Sequence, residues 1–229
     1  MRATILVVED DDDIAELILY HLGSQGYDAT RVSDGKEALA YLAKQQPDLL
    51  ILDLMLPFLD GLEVLKTLRY TFHSTLPVII ESARGEEGDI VTALEIGADD
   101  YLTKPFSPAV LAAKVKSLLR RIKNDKEGEK SSRIRTSHLS LDQERRSCLL
   151  DGKSITLSAT EFDLLSLLAG NEGRVFTRSQ LIETTKGSDY PVTERSIDVQ
   201  IATIRKKLQE GGNALKTVWG VGYKYEEEA

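Results

Sequence analysis

The sequence predicts an α/β fold for residues 1–121, built on a five-stranded, doubly wound parallel sheet, and a smaller α+β domain after it. In the first part, short apolar runs such as "TILVV" and "LLILD" alternate with amphipathic stretches. Continuous apolar strands between amphipathic helices are typical of a parallel sheet that is covered on both faces. In the second part the runs are shorter, and a "DG" pair separates two of them, which indicates an antiparallel meander.

The elements of the first part follow in a regular order. The predicted strands are TILVV (4–8), DATRV (28–32), LLILD (49–53), PVIIES (77–82) and YLT (101–103). The predicted helices are IAELILYHL (14–22), GKEALAYLA (35–43), LEVLKTL (62–68), IVTALEI (90–96) and PAVLAAKVKSLLRR (108–121). One helix follows each strand, which gives a succession of βα units.

Polar side chains follow four of these strands at the point where each strand ends. Glu9 and Asp10 follow the first strand, Asp53 ends the third, Ser82 ends the fourth and Lys104 follows the fifth. A carboxylate after an apolar run is costly unless it emerges from the sheet or meets a cation. In doubly wound folds these ends meet along one edge of the sheet. Oxygen ligands at this density favour a hard cation such as Mg²⁺, beside which Asp53 can act as a nucleophile toward a phosphoryl group.

Four segments that contain these residues resemble the receiver domain of two-component response regulators. They are "VVEDD", "ILDLMLPFLDG", "PVIIESARG" and "GADDYLTKPFSP", in order and at the expected strand ends. The resemblance implies a flavodoxin-like strand order 2-1-3-4-5, with Asp53 as the phospho-acceptor. It also implies that Asp10, Asp53 and the Met55 carbonyl hold Mg²⁺, with Glu9 reaching the ion through water.

The same resemblance implies roles for three more residues near the end of the receiver domain. Lys104 is expected to pair with the phosphoryl group, and Lys104-Pro105 to be a cis peptide. Ser82 and Tyr101 are expected to form the switch pair, in which the hydroxyl moves toward the phosphate and the aromatic ring turns inward.

Two departures from the receiver pattern concern the rim of the site and the face through which the family dimerises. Phe58 stands where the family usually has glycine, so its ring is expected either to overhang the site and slow access or to pack against the loop. Ile90 and Val110 occupy positions that commonly carry Arg and Glu, which favours a more hydrophobic dimer contact. The charged residues expected on the same face are Asp99, Asp100 and Lys114.

The second part carries clear signals for helix starts. Ser158 with Glu161, and Thr177 with Gln180, fit the capping box. A third helix is predicted at about Thr193 to Leu208. Its core stripe is predicted to be Ile197, Ile201, Ile204 and Leu208, and the residues opposite are Arg195, Val199, Ala202 and Lys206. A valine between cations suits a helix that enters a major groove.

After this helix, "LKTVWGVGYKYE" is predicted to form two strands around a glycine-rich turn. With "RSIDVQIATIRKKL" and "VWGVGYKY", residues 135–226 resemble the winged-helix effector domain of the OmpR/PhoB family. Two differences are Gln200 in place of a frequent histidine and Trp219 in the wing where many members have arginine. The residues expected to contact DNA are Arg178, Arg195, Ser196, Val199, Gln200, Thr203, Arg205, Lys206 and Trp219.

Composition and charge agree with this division. The net charge of −8 resides in residues 1–121, whereas residues 135–229 carry −1, so modest DNA affinity per subunit is expected. The polar stretch 122–134 is predicted to be a flexible linker between domains 1–121 and 135–229. The lone Cys148 excludes an internal disulfide framework and is expected to pack in the core. Neither a signal peptide nor a membrane span is predicted, which favours a cytoplasmic protein.

The sequence therefore favours a phosphorylation-controlled, sequence-specific transcription regulator that is not an enzyme acting on a separate substrate. The expected partners are a sensor histidine kinase, double-stranded DNA with repeated half-sites and a second copy of the chain after phosphorylation. The loop 186–192 is a possible contact for RNA polymerase. Two alternatives stay open: a regulator that dimerises and binds DNA without phosphate, and a metal-dependent phosphohydrolase. The phosphohydrolase would need a second acid two residues after the nucleophile, where this chain has Met55.

Overall fold

The computed structural model describes residues 2–83, 87–124, 133–186 and 195–227. The chain divides into two compact units, residues 1–119 and 120–229, each with its own hydrophobic core. Among the described residues, no helix combines the length and the hydrophobicity that a membrane crossing requires.

The first unit is a parallel sheet with helices between its strands, as predicted. Its strands are β1 Thr4–Val8, β2 Asp28–Val32, β3 Leu49–Asp53, β4 Val78–Ser82 and β5 Asp100–Thr103. Its helices are α1 Asp12–Ser24, α2 Gly35–Leu42, α3 Gly61–Lys66, α4 Glu87–Ile96 and α5 Pro108–Asn124. The strand order is β2-β1-β3-β4-β5, which confirms the predicted order, and all neighbours pair in parallel.

Burial follows the position of each strand in the sheet. Every residue of the inner strands β3 and β4 is buried, whereas the edge strand β2 is exposed or half-buried along its length. Helix α3 passes into a π-helical segment, Thr67–Thr71, which the sequence did not predict. The segment carries Arg69 into the interior, where its guanidinium donates to the carbonyl oxygens of Gly97 and Ser74 at 2.9 and 2.8 Å.

In its described residues, the second unit combines two antiparallel sheets with three helices. Its strands are β6 Arg133–Arg135, β7 Leu139–Asp142, β8 Ser147–Leu150, β9 Lys153–Ile155, β10 Phe176–Thr177, β11 Leu215–Val218 and β12 Gly222–Tyr225. Its helices are α6 Ala159–Ala169, α7 Arg178–Lys186 and α8 Arg195–Leu208, with a 3-10 segment at Gln209–Ala214. The meander has the order β6-β7-β8-β9, and the wing has the order β10-β12-β11.

Both predicted capping boxes are present. The Ser158 hydroxyl accepts from the backbone N–H of Glu161, and the Glu161 carboxylate accepts from that of Ser158 at 2.7 Å. The Thr177 hydroxyl accepts from the backbone N–H of Gln180 at 3.1 Å. The side-chain oxygen of Gln180 accepts from the backbone N–H of Thr177 at 3.0 Å. Cys148 is buried in the core of this unit, as expected.

The ends of the predicted linker extend into regular structure. Helix α5 continues to Asn124 and strand β6 begins at Arg133, both inside the predicted range 122–134. Residues 125–132 of that range lie outside the described residues, as does most of the loop 186–192 that the sequence suggested for RNA polymerase.

Candidate functional site

The register of the sheet brings the predicted site residues of four strands to one edge. Val8 pairs with Leu52, so the next residues along, Glu9 and Asp53, follow side by side. Asp53 in turn pairs with Glu81. The backbone N–H of Lys104 donates to the Ser82 carbonyl at 2.9 Å, which continues the edge to the fifth strand. Residues far apart in sequence therefore meet because the strands are parallel and in register.

Lys104 joins two of these acids directly. Its ammonium lies 2.5 Å from an oxygen of Asp53 and 2.5 Å from an oxygen of Glu9. Burial alone would lower the pKa of Lys104, but its hydrogen bonds to Asp53 and Glu9 outweigh burial, so the pKa is raised. The ammonium is therefore a fixed positive charge at the carboxylate that the sequence predicted as nucleophile.

The donor set fits a hard divalent cation. Carboxylate oxygens of Glu9, Asp10 and Asp53 lie within 4.8 Å of one another, so one ion can reach all three residues. Glu9 and Asp53 are buried, while Asp10 is exposed and opens the cluster to solvent. Arg31 supports this corner from β2, donating to the carbonyl oxygens of Glu9 and Asp10 at 2.9 Å each.

The loop after Asp53 is shaped by local contacts. The backbone N–H of Met55 donates to the Asp53 carboxylate at 2.9 Å, which fixes the orientation of the acid. Gly61 is required where the loop returns, because a Cβ there would stand 2.0 Å from the Asp53 carbonyl oxygen. Phe58 adopts a left-handed backbone conformation, with φ of 65°, and its side chain is 84% exposed. The ring is therefore largely exposed to solvent, with the Lys36 ammonium 5.9 Å from its centroid, and its effect on access to the site stays a prediction.

The predicted switch residues are both in the interior. Ser82 is fully buried at the end of β4, and the Tyr101 ring is 9% exposed on β5. The Lys104-Pro105 peptide is cis, as the resemblance implied.

Glu81 is a site residue that the sequence analysis did not single out. It is fully buried beside Asp53, and neither carboxyl oxygen has a hydrogen-bond donor among the described residues. Burial raises the pKa of the Glu81 carboxyl well above its usual range, and the negative charges of Glu9 and Asp53 act in the same direction. The signal in the sequence was a charged residue inside the apolar run "PVIIES".

The charged residues expected on the dimer face are used within the first unit. Asp99 is fully buried, accepts from the backbone N–H of Val78 at 2.9 Å and lies 3.3 Å from Arg69. Asp100 and Lys114 form a buried ion pair at 2.9 Å. Ile90 and Val110 are half-buried, so these two retain apolar surface on α4 and α5.

Helix α8 confirms the predicted core stripe and corrects part of the predicted outer surface. The four stripe residues are at most 1% exposed, and Arg195, Ala202 and Lys206 are exposed on the opposite side. Val199 is half-buried between them. The expected DNA contacts Ser196, Gln200 and Thr203 are instead buried, because they lie on the flank next to the stripe.

Two expected DNA-contacting arginines hold the wing in place. Arg178 pairs with Asp198 at 2.7 Å and lies over the Tyr223 ring at 5.1 Å. Arg205 donates to the Leu215 carbonyl and to the Thr217 hydroxyl, at 2.6 and 2.8 Å. These contacts tie α7 and α8 to the wing sheet. Trp219, at the turn of the wing, is 90% exposed.

Comparison with known families matches both units in the same order. Residues 5–116 match the response regulator receiver domain, and residues 152–225 match the C-terminal domain of transcriptional regulatory proteins. The chain belongs to the OmpR/PhoB family of response regulators. Its relatives align over 97 to 99% of the chain. The sensory transduction protein RegX3 of Mycolicibacterium smegmatis is 41% identical over 227 residues, covering 97% of this chain and 99% of that protein.

Two further similarities support the same family. The alkaline phosphatase synthesis transcriptional regulatory protein PhoP of Bacillus subtilis is 39% identical over 239 residues, covering 99% of this response regulator and 98% of PhoP. Among solved structures, DrrB of Thermotoga maritima, described as an OmpR/PhoB homologue, is 33% identical with a TM-score of 0.52. That alignment covers 99% of this chain and 100% of DrrB. RegX3 is thus named as a sensory transduction protein, and PhoP as a transcriptional regulatory protein.

Proposed function

We propose that this response regulator is a sequence-specific transcription factor whose DNA binding is controlled by phosphorylation of Asp53. The observation that carries the proposal is the position of the Asp53 carboxylate. It is buried, 2.5 Å from the Lys104 ammonium and within 4.8 Å of the oxygens of Glu9 and Asp10. A carboxylate held between a cation site and a fixed ammonium is suited to accept a phosphoryl group.

The proposed reaction transfers a phosphoryl group from a phosphohistidine of a partner kinase. The P–N bond of the donor breaks as an Asp53 oxygen forms the new P–O bond, and the histidine ring leaves with the bonding electron pair. Mg²⁺, when bound by Glu9, Asp10, Asp53 and the Met55 carbonyl, supplies positive charge to the transferring oxygens. Lys104 supplies a second positive charge, and the Ser82 hydroxyl donates to a phosphoryl oxygen.

The added charge is proposed to change the face formed by α4, β5 and α5. Ser82 moves toward the phosphoryl group, and the Tyr101 ring, which is already buried in this structure, is held inward behind it, so that the chemistry at Asp53 alters the neighbouring surface. Ile90 and Val110 then supply an apolar contact to a second copy of the chain. Asp99, Asp100 and Lys114 support this face through the ion pairs within their own subunit.

DNA is proposed to bind to the outer side of α8 and to the wing. Arg195 and Lys206 are exposed and suited to phosphate or guanine, and the methyl groups of Val199 suit thymine. Trp219 reaches outward from the wing turn. With few cationic side chains on this surface, stable binding requires two subunits on repeated half-sites.

The remaining expectations from the sequence complete the proposal. The functional domains are residues 1–121 and 135–229, joined by a linker, and the protein acts in the cytoplasm with its kinase. A contact between the loop 186–192 and RNA polymerase is part of the proposal. The protein loses its own phosphoryl group slowly and acts on no separate substrate.

The competing proposal is a regulator that dimerises and binds DNA without phosphate, which the apolar Ile90 and Val110 favour. The test compares DNA affinity of the full chain with and without beryllofluoride and Mg²⁺, using DNA selected from a random pool. We expect beryllofluoride to raise affinity in the wild type and to have no effect in Asp53→Ala. Equal DNA affinity of the wild type and Asp53→Ala, each with and without beryllofluoride, would support the phosphate-independent alternative.

A further inference from the structure

We propose that Arg31 is a positioning residue of the cation site: its guanidinium binds the main chain of the β1–α1 loop and holds the Glu9 and Asp10 carboxylates where one ion reaches both. The inference deepens the proposed function and rests on it, because it concerns the cation site beside Asp53. It adds a residue of the edge strand β2 to a site whose carboxylates come from the ends of β1 and β3.

The Arg31 guanidinium uses all three of its nitrogens on this loop. Its Nε donates to the Glu9 carbonyl oxygen at 2.9 Å, and its Nη2 donates to the Asp10 carbonyl oxygen at 2.9 Å. Its Nη1 lies 2.5 Å from a carboxylate oxygen of Asp12, the first residue of α1. The Arg31 side chain is 23% exposed although it belongs to an edge strand. A rigid, planar fork that bonds two consecutive carbonyl groups fixes both of their peptide planes.

The β1–α1 loop supplies two of the three carboxylates of the site from consecutive residues. Glu9 is fully buried, whereas Asp10 is exposed, so packing holds the first side chain but not the second. Asp11 caps α1 and thereby fixes the far end of the loop. Arg31 fixes the part before it, the main chain from which both carboxylate side chains extend.

The charge of Arg31 and its geometry act on a bound cation in opposite directions. A guanidinium beside the site repels a divalent ion, so charge alone would make Arg31 weaken binding. Carboxylates that are held in place before the ion arrives lose less conformational freedom on binding, so the geometry strengthens it. The Asp12 side chain is 88% exposed, and an ion pair to so exposed a group stabilises little. The two carbonyl contacts therefore carry the effect.

The test measures Mn²⁺ binding to the full chain by electron paramagnetic resonance, with no phosphoryl donor present. Arg31→Met removes the charge and all the donors, and Arg31→Lys keeps the charge but loses the fork. We expect Arg31→Met to weaken Mn²⁺ binding about tenfold, and Arg31→Lys to weaken it about three- to tenfold. Lys44→Met removes an exposed positive charge elsewhere and is the matched control. Affinity is read on protein that circular dichroism shows to be folded, so a loss of stability alone does not change it.

Three results would overturn the inference. An unchanged or tighter Mn²⁺ affinity in Arg31→Met would show that Arg31 acts through charge or not at all. A wild-type affinity in Arg31→Lys would show that the fork is not needed, and an equal loss in Lys44→Met would show that the effect is not local. If Arg31→Met does not fold, Arg31→Gln takes its place. Phosphorylation of the wild type at Asp53 is scored separately by mass spectrometry, so failure of the proposed function is distinguishable from failure of this inference.

Discussion

Replacement of Lys104 by methionine tests how strongly this side chain neutralises the site. The ammonium serves two carboxylates at 2.5 Å, and the side chains of Glu9 and Asp53 are only 1% and 5% exposed. Breaking a buried ion pair by removing one partner costs about 3 to 5 kcal/mol. Lys104→Met should therefore lower the opening free energy of the receiver unit by about this amount.

Hydrogen exchange with mass spectrometry on the full chain is suited to this measurement, because it follows each unit separately. Peptides from β3 should exchange about 10²- to 4 × 10³-fold faster in Lys104→Met, since each 1.4 kcal/mol is a factor of ten. Peptides from α6 in the second unit are the internal control. Lys44→Met, at an exposed lysine, is the matched variant.

The pH dependence of the loss follows from the raised pKa of Lys104. A group whose folded pKa is raised contributes stability that is complete below its unfolded pKa, near 10.5, and is lost as pH rises through the folded pKa. Between pH 7 and 9 the difference in opening free energy between wild type and Lys104→Met should thus be constant. Added Mg²⁺ should recover part of the loss by binding the folded state. If Lys104→Met lowers the opening free energy by less than about 1 kcal/mol, the assigned ion pairs are contradicted.

Three further predictions concern the other parts of the chain. Burial raises the pKa of the Cys148 thiol to about 12, so at pH 8 a thiol reagent should label the native protein roughly 10³-fold more slowly than the unfolded chain; equal rates would refute its burial. Ile90→Arg should raise the dimer dissociation constant of the phosphorylated protein, measured by analytical ultracentrifugation, by about tenfold or more. An unchanged dissociation constant would exclude this face from the dimer contact. Arg195→Ala and Lys206→Ala should each lower the slope of log affinity against log salt by about 1, and an unchanged slope would remove that residue from the interface.

The elements of this protein could be predicted from sequence where one local pattern decided them. The run Leu49–Leu52 is apolar at every position and bounded by polar residues, which is typical of a strand buried on both faces, and Asp53 marks its end. The stripe on α8 and the capping boxes at Ser158 and Thr177 depend on spacings of three and four residues. Such patterns are complete within one element, so no tertiary information is needed to recognise them.

Side chains that depend on distant partners could not be placed in the same way. The helical period put Ser196 and Thr203 beside the outer row of α8, yet neighbouring elements cover that flank. Arg178 and Arg205 were predicted as DNA contacts from their charge, and their pairing with Asp198 and with the Leu215 carbonyl could not be predicted from it. A cation is recognisable from sequence, whereas its partner depends on which elements pack together.

The sequence by itself determined the two-domain order, the strand and helix succession and the five polar groups at the strand ends, because each is written in neighbouring residues. Only the tertiary structure decided how those groups combine. Lys104 meets Glu9 across 95 residues, and Glu81 lies beside Asp53 because β3 and β4 pair in register. Burial then raises the pKa of the Glu81 carboxyl well above its usual range. That change follows from removing a carboxyl from water, which depends on the whole fold rather than on any segment of the chain.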